Sequence, residues 1–263
     1  MTSTQEPTAA TAQPETTKEV LVNVVLDRSG SMSSCKTSTI SGYNEYLKGL
    51  KADTESNYSV TLIQFDSPGQ SPELTVSYTD KPLGDVPELS KKTYEPRGMT
   101  PLYDAIGECI RRVEAKSRAV FTVIITDGME NASTEFTQES IRKLIKEKEA
   151  EGWKFVFLGA NIDSAAVGGS MGIAVADCAD YSPAHAMSMF ASVSSSNLRY
   201  AAASRSYGVG TAQAMCASNF TKEEREANMG GRPAEPPTFH TTSTPIPTPP
   251  AKHKPRTKWS VRG

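Results

Sequence analysis

Residues 20–32 read Val-Leu-Val-Asn-Val-Val-Leu-Asp-Arg-Ser-Gly-Ser-Met, and this stretch is the most informative one for the fold. Its first seven residues form an almost continuous aliphatic run, which is typical of a strand covered on both faces of a sheet. The run ends at Asp27, and small polar residues follow it directly. A buried strand that leads into a polar loop indicates a parallel sheet with polar side chains at its carboxyl edge.

The segments that follow alternate between strand-like and helix-like patterns. Apolar runs at 119–125 and 153–158 predict two more central strands, and period-two alternation at 58–65 and 74–78 predicts strands nearer an edge. Apolar spacing and capping residues predict helices at 40–50, 101–114, 138–151 and 164–170, one of about two to five turns after Ser182-Pro183, and a short one after Thr221. The sequence therefore predicts a doubly wound α/β fold, with a mostly parallel sheet flanked by helices.

Composition divides the 263 residues into one domain and two tails. Residues 1–17 contain six threonines and two prolines, and residues 229–263 contain eight of the 17 prolines. Neither segment has enough apolar residues to offset the entropy lost on ordering, so we expect both tails to be disordered. Residues 18–228 are then expected to form a single folded domain.

Charge and cysteine content argue against several protein classes. The net charge is −2, but residues 251–263 carry five basic residues and no acidic ones, which leaves 23 basic against 30 acidic residues in positions 1–250. This balance does not favour nucleic-acid binding. No apolar run approaches the roughly 18–20 residues of a membrane span, and the first residues do not resemble a secretory signal. Four widely spaced cysteines without a Cys-x-x-Cys motif indicate reduced thiols, so we expect a cytoplasmic protein.

Residues that suit a metal ion follow the predicted strands or precede a helix at the same edge of the sheet. They are, in chain order, Asp27, Ser29, Ser31, Thr100 and Asp127. Because the carboxyl ends of parallel strands lie at one edge, we expect the loops that carry these residues to meet there. Oxygen ligands with only one or two carboxylates suit Mg²⁺, whereas Ca²⁺ usually binds more protein oxygens.

At these positions the sequence resembles the von Willebrand factor A (VWA) domain with its metal-ion-dependent adhesion site (MIDAS). The family pattern is Asp-x-Ser-x-Ser after the first strand, a Thr in a later loop and an Asp after the fourth strand, and all five elements are present in that order. The resemblance covers about residues 18–205. The stretches Thr-Asp-Gly-x-Glu-Asn and Gly-Trp-x-Phe-x-Phe-Leu-Gly-Ala-Asn are similar to short bacterial and bacteriophage members.

The resemblance implies a role for each of the five residues. The hydroxyls of Ser29, Ser31 and Thr100 would bind the metal, and the carboxylates of Asp27 and Asp127 would act directly or through water. One coordination position would stay open for a Glu or Asp of a protein partner. Mg²⁺ is the expected ion, with Mn²⁺ and Ca²⁺ as alternatives.

The same residues also have structural interpretations. Ser29 and Ser31 have the form of N-caps for a following helix, and Thr100 before a proline has the form of a helix N-cap. Asp127 followed by glycine is a common turn. Taken singly, each residue fits a structural role; taken together, the five favour a metal site.

Three functions follow from these readings. The leading hypothesis is a Mg²⁺-dependent protein-interaction module that is not an enzyme, since the polar loops contain no histidine or lysine to move protons. An alternative is a haloacid-dehalogenase-like phosphatase, whose first motif is also an Asp after strand one. That family has a second Asp two residues later to protonate the leaving group, where this chain has Ser29. The third is a structural or assembly component of a phage or a cell surface, with the tails as tethers.

Overall fold

The computed structural model describes residues 16–69, 71–113 and 118–228, so both predicted tails lie almost entirely outside the described residues. The described residues contain six strands: β1 (Glu19–Asp27), β2 (Asn57–Asp66), β3 (Glu73–Pro82), β4 (Ala119–Thr126), β5 (Lys154–Ala160) and β6 (Cys178–Tyr181). They also contain seven α-helices: α1 (Lys36–Lys51), α2 (Leu102–Arg112), α3 (Gln138–Ala150), α4 (Ser164–Ser170), α5 (Ala186–Tyr207), α6 (Ala212–Ala217) and α7 (Lys222–Asn228).

The six strands form one sheet in the order β3-β2-β1-β4-β5-β6. Neighbouring strands are parallel except β3, which runs antiparallel to β2 and forms an edge. This confirms the predicted doubly wound, mostly parallel sheet. The strand order reverses between β1 and β4, so the connections after these two strands leave in opposite directions. A crevice therefore opens beyond the carboxyl ends of β1 and β4.

The apolar run of β1 supplies side chains to two hydrophobic layers. Val22, Val24 and Leu26 pack in the layer that contains α1 and α5, whereas Leu21 and Val25 pack in the layer that contains α2 and α3. Burial on both faces explains why this strand has no polar alternation. The central position of β1 also places its carboxyl end in the middle of the sheet edge.

Some elements differ from the sequence-based expectation. Strand β6 was not predicted, because four residues are too few to show a period. Helix α6 was not predicted either, and α5 is longer than the predicted two to five turns, with 22 residues. Serines made α5 hard to predict, yet several are buried and bond within the helix: Ser192 Oγ donates to Ser188 O at 3.0 Å, and Ser194 Oγ donates to Phe190 O at 3.1 Å. Such bonds let serine replace apolar residues on a buried helix face.

Helix ends follow the predicted capping residues at two places. Thr137 caps α3 by accepting from the backbone N–H of Ser140 at 3.2 Å, and Gly152 follows the helix with a positive φ of 92°. At α7, Thr221 Oγ1 accepts from Glu224 N at 3.1 Å while the Glu224 carboxylate accepts from Thr221 N at 2.8 Å. This reciprocal pair is the predicted capping box.

The cysteines and the helices give two further observations. All four cysteines are free: Cys35, Cys109 and Cys178 are buried, and Cys216 is exposed. Within the described part of the chain, no helix has the length and apolar character needed to span a bilayer.

Candidate metal site

The five residues predicted to bind a metal lie on three loops at the carboxyl edge of the sheet. Asp27 is the last residue of β1, Ser29 directly precedes the 3-10 turn that joins β1 to α1, and Ser31 lies in that turn. Asp127 follows β4, the direct neighbour of β1, and Thr100 lies two residues before α2. The strand order therefore places the first and last loops side by side.

Hydrogen bonds join the β1 loop to the β4 loop. The hydroxyls of Ser29 and Ser31 are 3.1 Å apart, and Ser31 Oγ donates to Asp127 Oδ1 at 2.5 Å. Three oxygens from two loops thus form a continuous row. This contact links residues that are 96 positions apart in the chain.

Asp27 is fully buried, and its carboxylate accepts hydrogen bonds from uncharged donors. Its Oδ1 accepts from the backbone N–H of Ser29 at 2.6 Å, and its Oδ2 accepts from Thr126 Oγ1 at 2.6 Å. Its backbone carbonyl accepts from the Tyr94 hydroxyl at 2.6 Å. Burial raises the pKa of Asp27 to about 6, although the hydrogen bonds from Thr126 and Ser29 oppose this rise.

A second carboxylate shares this environment. Burial also raises the pKa of Asp127, against the effect of the hydrogen bond from Ser31. The charge of Asp127 adds to the rise in the pKa of Asp27. Within the described residues, no Lys, Arg or His forms an ion pair with either carboxylate. The two aspartates therefore lack a cation at a place where one would be stabilising.

Thr100 is held at the same site by its backbone. Its N–H donates to Asn131 Oδ1 at 2.8 Å, and its carbonyl accepts from Asn131 N at 3.1 Å. A Cβ added at Gly128 would lie 3.3 Å from Thr100 Oγ1 and 3.6 Å from Ser31 Oγ. The two hydroxyls thus converge over Gly128, in a space that a side chain at this position would fill.

The helix-cap interpretations of these hydroxyls do not match the structure. Ser29 occupies the N-cap position of the 3-10 turn Gly30–Cys35, but its side chain makes no cap hydrogen bond. The N-cap position of α2 is Pro101, not Thr100, and the first-turn N–H groups of Tyr103 and Asp104 donate instead to Glu130 Oε2 at 3.0 Å and to Ser133 Oγ at 3.1 Å. The hydroxyls of Ser29 and Thr100 are therefore not used by the helices that follow them.

The spacing and chemistry of these oxygens fit a small divalent cation. At a metal–oxygen distance of about 2.1 Å, neighbouring ligands of an octahedral Mg²⁺ are about 3.0 Å apart. The observed separations of 3.1 Å and 2.5 Å along the Ser29–Ser31–Asp127 row lie on either side of that value. The described residues hold no cluster of three or more His, Cys, Asp or Glu suited to a metal. Any ion here would be bound by two carboxylates and by hydroxyls, a set that suits Mg²⁺ better than Zn²⁺.

A buried ion-pair cluster beside the site was not predicted from the sequence. Asp66, at the end of β2, accepts from Arg28 Nε and Nη2 at 3.1 Å each and from Arg97 Nε at 2.7 Å. Arg97 also pairs with Glu73. The cluster joins the loops after β1 and β2 to the loop before α2, and so holds the segment that carries Thr100.

Backbone contacts complete this scaffold. Gly30 N donates to Gly98 O at 3.0 Å, Arg97 N donates to Arg28 O at 2.8 Å, and Met99 N donates to Ser67 O at 3.0 Å. Gly98 has φ of 68°, and a Cβ there would lie 2.0 Å from Ser67 O, so only glycine fits. Arg97 and Gly98 directly precede Met-Thr-Pro in the sequence and could have been noticed there. Their contacts with Arg28, Gly30 and Ser67 could not be predicted, because those residues lie in distant segments.

Comparison with known sequences and with solved structures gives different results. Neither the models of known protein families nor the curated proteins match this sequence. Among solved structures, proximal thread matrix protein 1 from the mussel byssus matches with a TM-score of 0.50 at 13% identity, over 70% of this chain and 48% of that one. The fold is that of a VWA domain. This chain spans about half the length of the byssus protein.

Two further structures are similar at lower scores. A structure of the same byssus protein with a zinc-occupied MIDAS motif matches with a TM-score of 0.47 at 12% identity, over 67% of this chain and 47% of that one. The vWF domain of the type V pili tip protein Mfa5 from Porphyromonas gingivalis matches with a TM-score of 0.49 at 11% identity, over 68% of this chain and 95% of that one. At these identities, the likeness concerns the fold of the VWA domain alone.

Proposed function

We propose that this protein is a metal-dependent protein-interaction module with no catalysis of its own. Its VWA domain binds Mg²⁺ at a MIDAS formed by Asp27, Ser29, Ser31, Thr100 and Asp127, with Mn²⁺ or Ca²⁺ as substitutes. The bound ion holds a Glu or Asp side chain of a protein partner. The tails serve as tethers, and the protein acts in the cytoplasm.

One observation carries this proposal. Ser29 N donates to Asp27, the hydroxyls of Ser29 and Ser31 are in contact, and Ser31 donates to Asp127, so the two carboxylates belong to one cluster. The described surroundings of this cluster contain hydroxyls and a backbone amide instead of cations. A buried and a half-buried carboxylate side by side favour a counter-charge, and a divalent ion supplies it without a protein side chain.

The donor set explains why the ion would attract a further carboxylate. Hydroxyl oxygens are neutral, so an ion that they hold keeps most of its positive charge. A partner carboxylate then gains a strong, charge-assisted contact. A site of three or four carboxylates would neutralise the ion and bind such a partner weakly.

The geometry favours binding over phosphatase chemistry. Both carboxylate oxygens of Asp27 accept hydrogen bonds, from Ser29 N and Thr126 Oγ1, and these bonds lower the nucleophilicity of the group. Position 29, where a phosphatase needs an acid, is a serine whose hydroxyl contacts Ser31. Within the described residues, no lysine or histidine hydrogen-bonds to Asp27 or Asp127.

The test is calorimetric titration of the full chain with MgCl₂ and with MnCl₂. We expect binding that is lost in Asp27→Ala and in Asp127→Ala. Asp163→Ala is the matched control, since Asp163 lies at the same edge but caps α4 by accepting from Ala166 N at 2.8 Å. Circular dichroism should show that all variants are folded.

Partner binding is tested separately with a pull-down in Mg²⁺ and again in EDTA. We expect protein partners that are retained in Mg²⁺ and released in EDTA, and that Asp27→Ala does not retain. Unchanged Mg²⁺ and Mn²⁺ affinity in both aspartate variants would overturn the proposal. Mg²⁺-dependent hydrolysis of an aryl phosphate, lost in Asp27→Asn, would support the phosphatase instead.

A further inference from the structure

The loops around the metal site expose a patch of uncharged residues. We call this patch the rim and define it by seven exposed residues of the three site loops: Ser31, Ser33, Ser34, Gly98, Met99, Met129 and Asn131. Arg97 and Glu135 are also exposed in these loops and lie outside the rim as defined, each in an ion pair with other residues of the chain. Hydroxyls, an amide, a glycine and two thioethers make up this set.

Two exposed methionines lie directly beside site residues. The exposed fraction is 43% for Met99, which precedes Thr100, and 70% for Met129, which follows Gly128. Asn131, two residues after Met129, accepts from Thr100 N and donates to Thr100 O, so the two methionines lie on adjoining loops. Methionine is unbranched and polarisable and adapts to varied apolar partners. By contrast, Met32, one residue after Ser31, is fully buried.

Charged side chains next to the rim already have partners. Arg97 pairs with Asp66 and Glu73. Glu130 accepts from the backbone N–H groups of Tyr103, Ala132 and Ser133 and from the Ser133 hydroxyl. A metal ion would therefore be the cation that a partner meets first at this edge. If a partner carried several carboxylates, only one of them would be paired with a cation at this edge.

We infer that the partner segment carries one Glu or Asp flanked by uncharged apolar residues, which pack on Met99 and Met129 while the carboxylate binds the metal. The inference rests on the proposed function and adds the chemistry of the partner to it. The single carboxylate matches the single ion, and the apolar flanks match the two thioethers. Burial of apolar surface on the methionines then adds to the affinity supplied by the metal.

The first experiment compares three blocked peptides with the full chain in MgCl₂ and in EDTA. The central residues are Gly-Glu-Gly, Leu-Glu-Leu and Glu-Glu-Glu, each between terminal glycines. The protein carries ¹³C-methyl methionine, and NMR titration gives both the affinity and the place of binding. We expect the leucine peptide to bind about three- to tenfold more tightly than the glycine peptide, since a few methylene groups are buried. We expect no gain for the triple-glutamate peptide.

The variants Met99→Ala, Met129→Ala and the double variant test the contact itself. Both side chains are exposed, so the variants should fold normally. The double variant should bind the glycine and leucine peptides equally, because the apolar contact is gone and the metal contact remains. Met187→Ala is the matched control, since Met187 is 48% exposed but lies on α5. It should keep the preference for leucine, and the Met187 methyl signal should not shift.

The outcomes separate this inference from the function on which it rests. If the glycine peptide binds in Mg²⁺ and not in EDTA, but the leucine peptide binds no better, then the function stands and the inference is wrong. A preference for leucine that survives in the double methionine variant also overturns the inference. If no peptide binds in a metal-dependent manner, both the inference and the proposed function are overturned.

Discussion

Two buried aspartates at the same sheet edge are neutralised in different ways. Asp66 ends β2, Asp27 ends the neighbouring β1, and both side chains are fully buried. Asp66 is surrounded by two guanidinium groups, whereas Asp27 has a backbone amide, a threonine hydroxyl and a second carboxylate nearby. The Asp66 cluster is electrostatically complete within the chain. Under the proposed function, a cation from outside the chain completes the Asp27 site.

This difference separates a structural role from a binding role. A buried carboxylate with its own cations stabilises the loops that it joins, and nothing further needs to bind. A buried carboxylate without a cation is costly to the fold, so its presence indicates a ligand. Arg28 lies between Asp27 and Ser29, yet its side chain pairs with Asp66. The residue nearest in sequence therefore does not neutralise Asp27.

The largest effect on stability is expected from substitution of Asp66, which pairs with Arg28 and Arg97. Asp66→Asn leaves the buried Arg28 side chain without its carboxylate, and we expect unfolding in urea to show a loss of about 3 kcal/mol. Glu73→Gln, which removes an exposed partner of the same arginines, is the control and should cost less than about 1 kcal/mol. Equal effects of the two variants would mean that Asp66 is not the centre of the cluster.

The incomplete site should respond to substitution in the opposite direction. Asp27→Asn should lower Mn²⁺ affinity in calorimetry by more than about 100-fold, because an amide replaces the anionic oxygens. Yet it should raise the thermal midpoint of the protein in EDTA. The pKa of Asp27 is about 6 in the folded state, above the ordinary value of 3.8, so the destabilisation of the metal-free fold builds up between these two pH values and is complete above about pH 6.

The increase in thermal midpoint caused by Asp27→Asn should become smaller as the pH is lowered. Toward pH 4 the wild-type carboxyl is protonated in the folded state, so the difference between wild type and Asp27→Asn should become small. Differential scanning fluorimetry at pH 7.5 and at pH 4.5 measures this. A lower midpoint for Asp27→Asn in EDTA at pH 7.5 would show that Asp27 is structurally required, as Asp66 is.

A smaller effect is expected from the group that orients Asp27. Thr126→Val keeps the shape of the side chain but removes the hydroxyl that donates to Asp27 Oδ2 at 2.6 Å. We expect Mn²⁺ affinity to fall by about tenfold, which is the usual effect of losing a group that orients a ligand. Thr122→Val, on the same strand, is the control and should leave the affinity unchanged.

The smallest effect should come from Gly128→Ala. The added methyl group would lie 3.3 Å from Thr100 Oγ1 and 3.6 Å from Ser31 Oγ, so both hydroxyls shift by a few tenths of an ångström. We expect a decrease of about two- to fivefold in Mn²⁺ affinity with little change in stability. An unchanged affinity would indicate that the hydroxyls do not converge on the ion at this glycine.

The sequence pattern was sufficient for most of the fold and for the candidate site. β1 and β4 are long, apolar runs, and the loops after them begin with aspartate, so their positions could be read without coordinates. The four-residue strand β6 and the serine-rich helix α5 were harder, since one is too short and the other too polar for a clear period. The domain boundaries at residues 17 and 229 stay predictions.

The residues that support the candidate site could not be predicted from sequence patterns. Thr126 is an ordinary β-branched strand residue in the sequence, and only its contacts with Asp27 and with the backbone of Gly128 give it a role at the site. Arg28, Asp66 and Arg97 are spread over three segments, and nothing in their spacing predicts that they meet. The rim of exposed methionines is likewise visible only once burial is known, since Met32 and Met99 look alike in the sequence.

The sequence by itself determined the α/β class, the strands that end in polar loops and the five oxygen-bearing residues of the candidate site. These follow from local patterns, because side-chain periodicity and loop composition depend only on residues that are close together in the sequence. The tertiary structure alone decided which charges are neutralised within the chain. Pairing of Asp66 with two arginines, and the lack of such a pairing at Asp27 among the described residues, depend on contacts between segments far apart in sequence. The difference affects stability because both aspartates are buried, and a charge removed from water destabilises the fold unless it is paired.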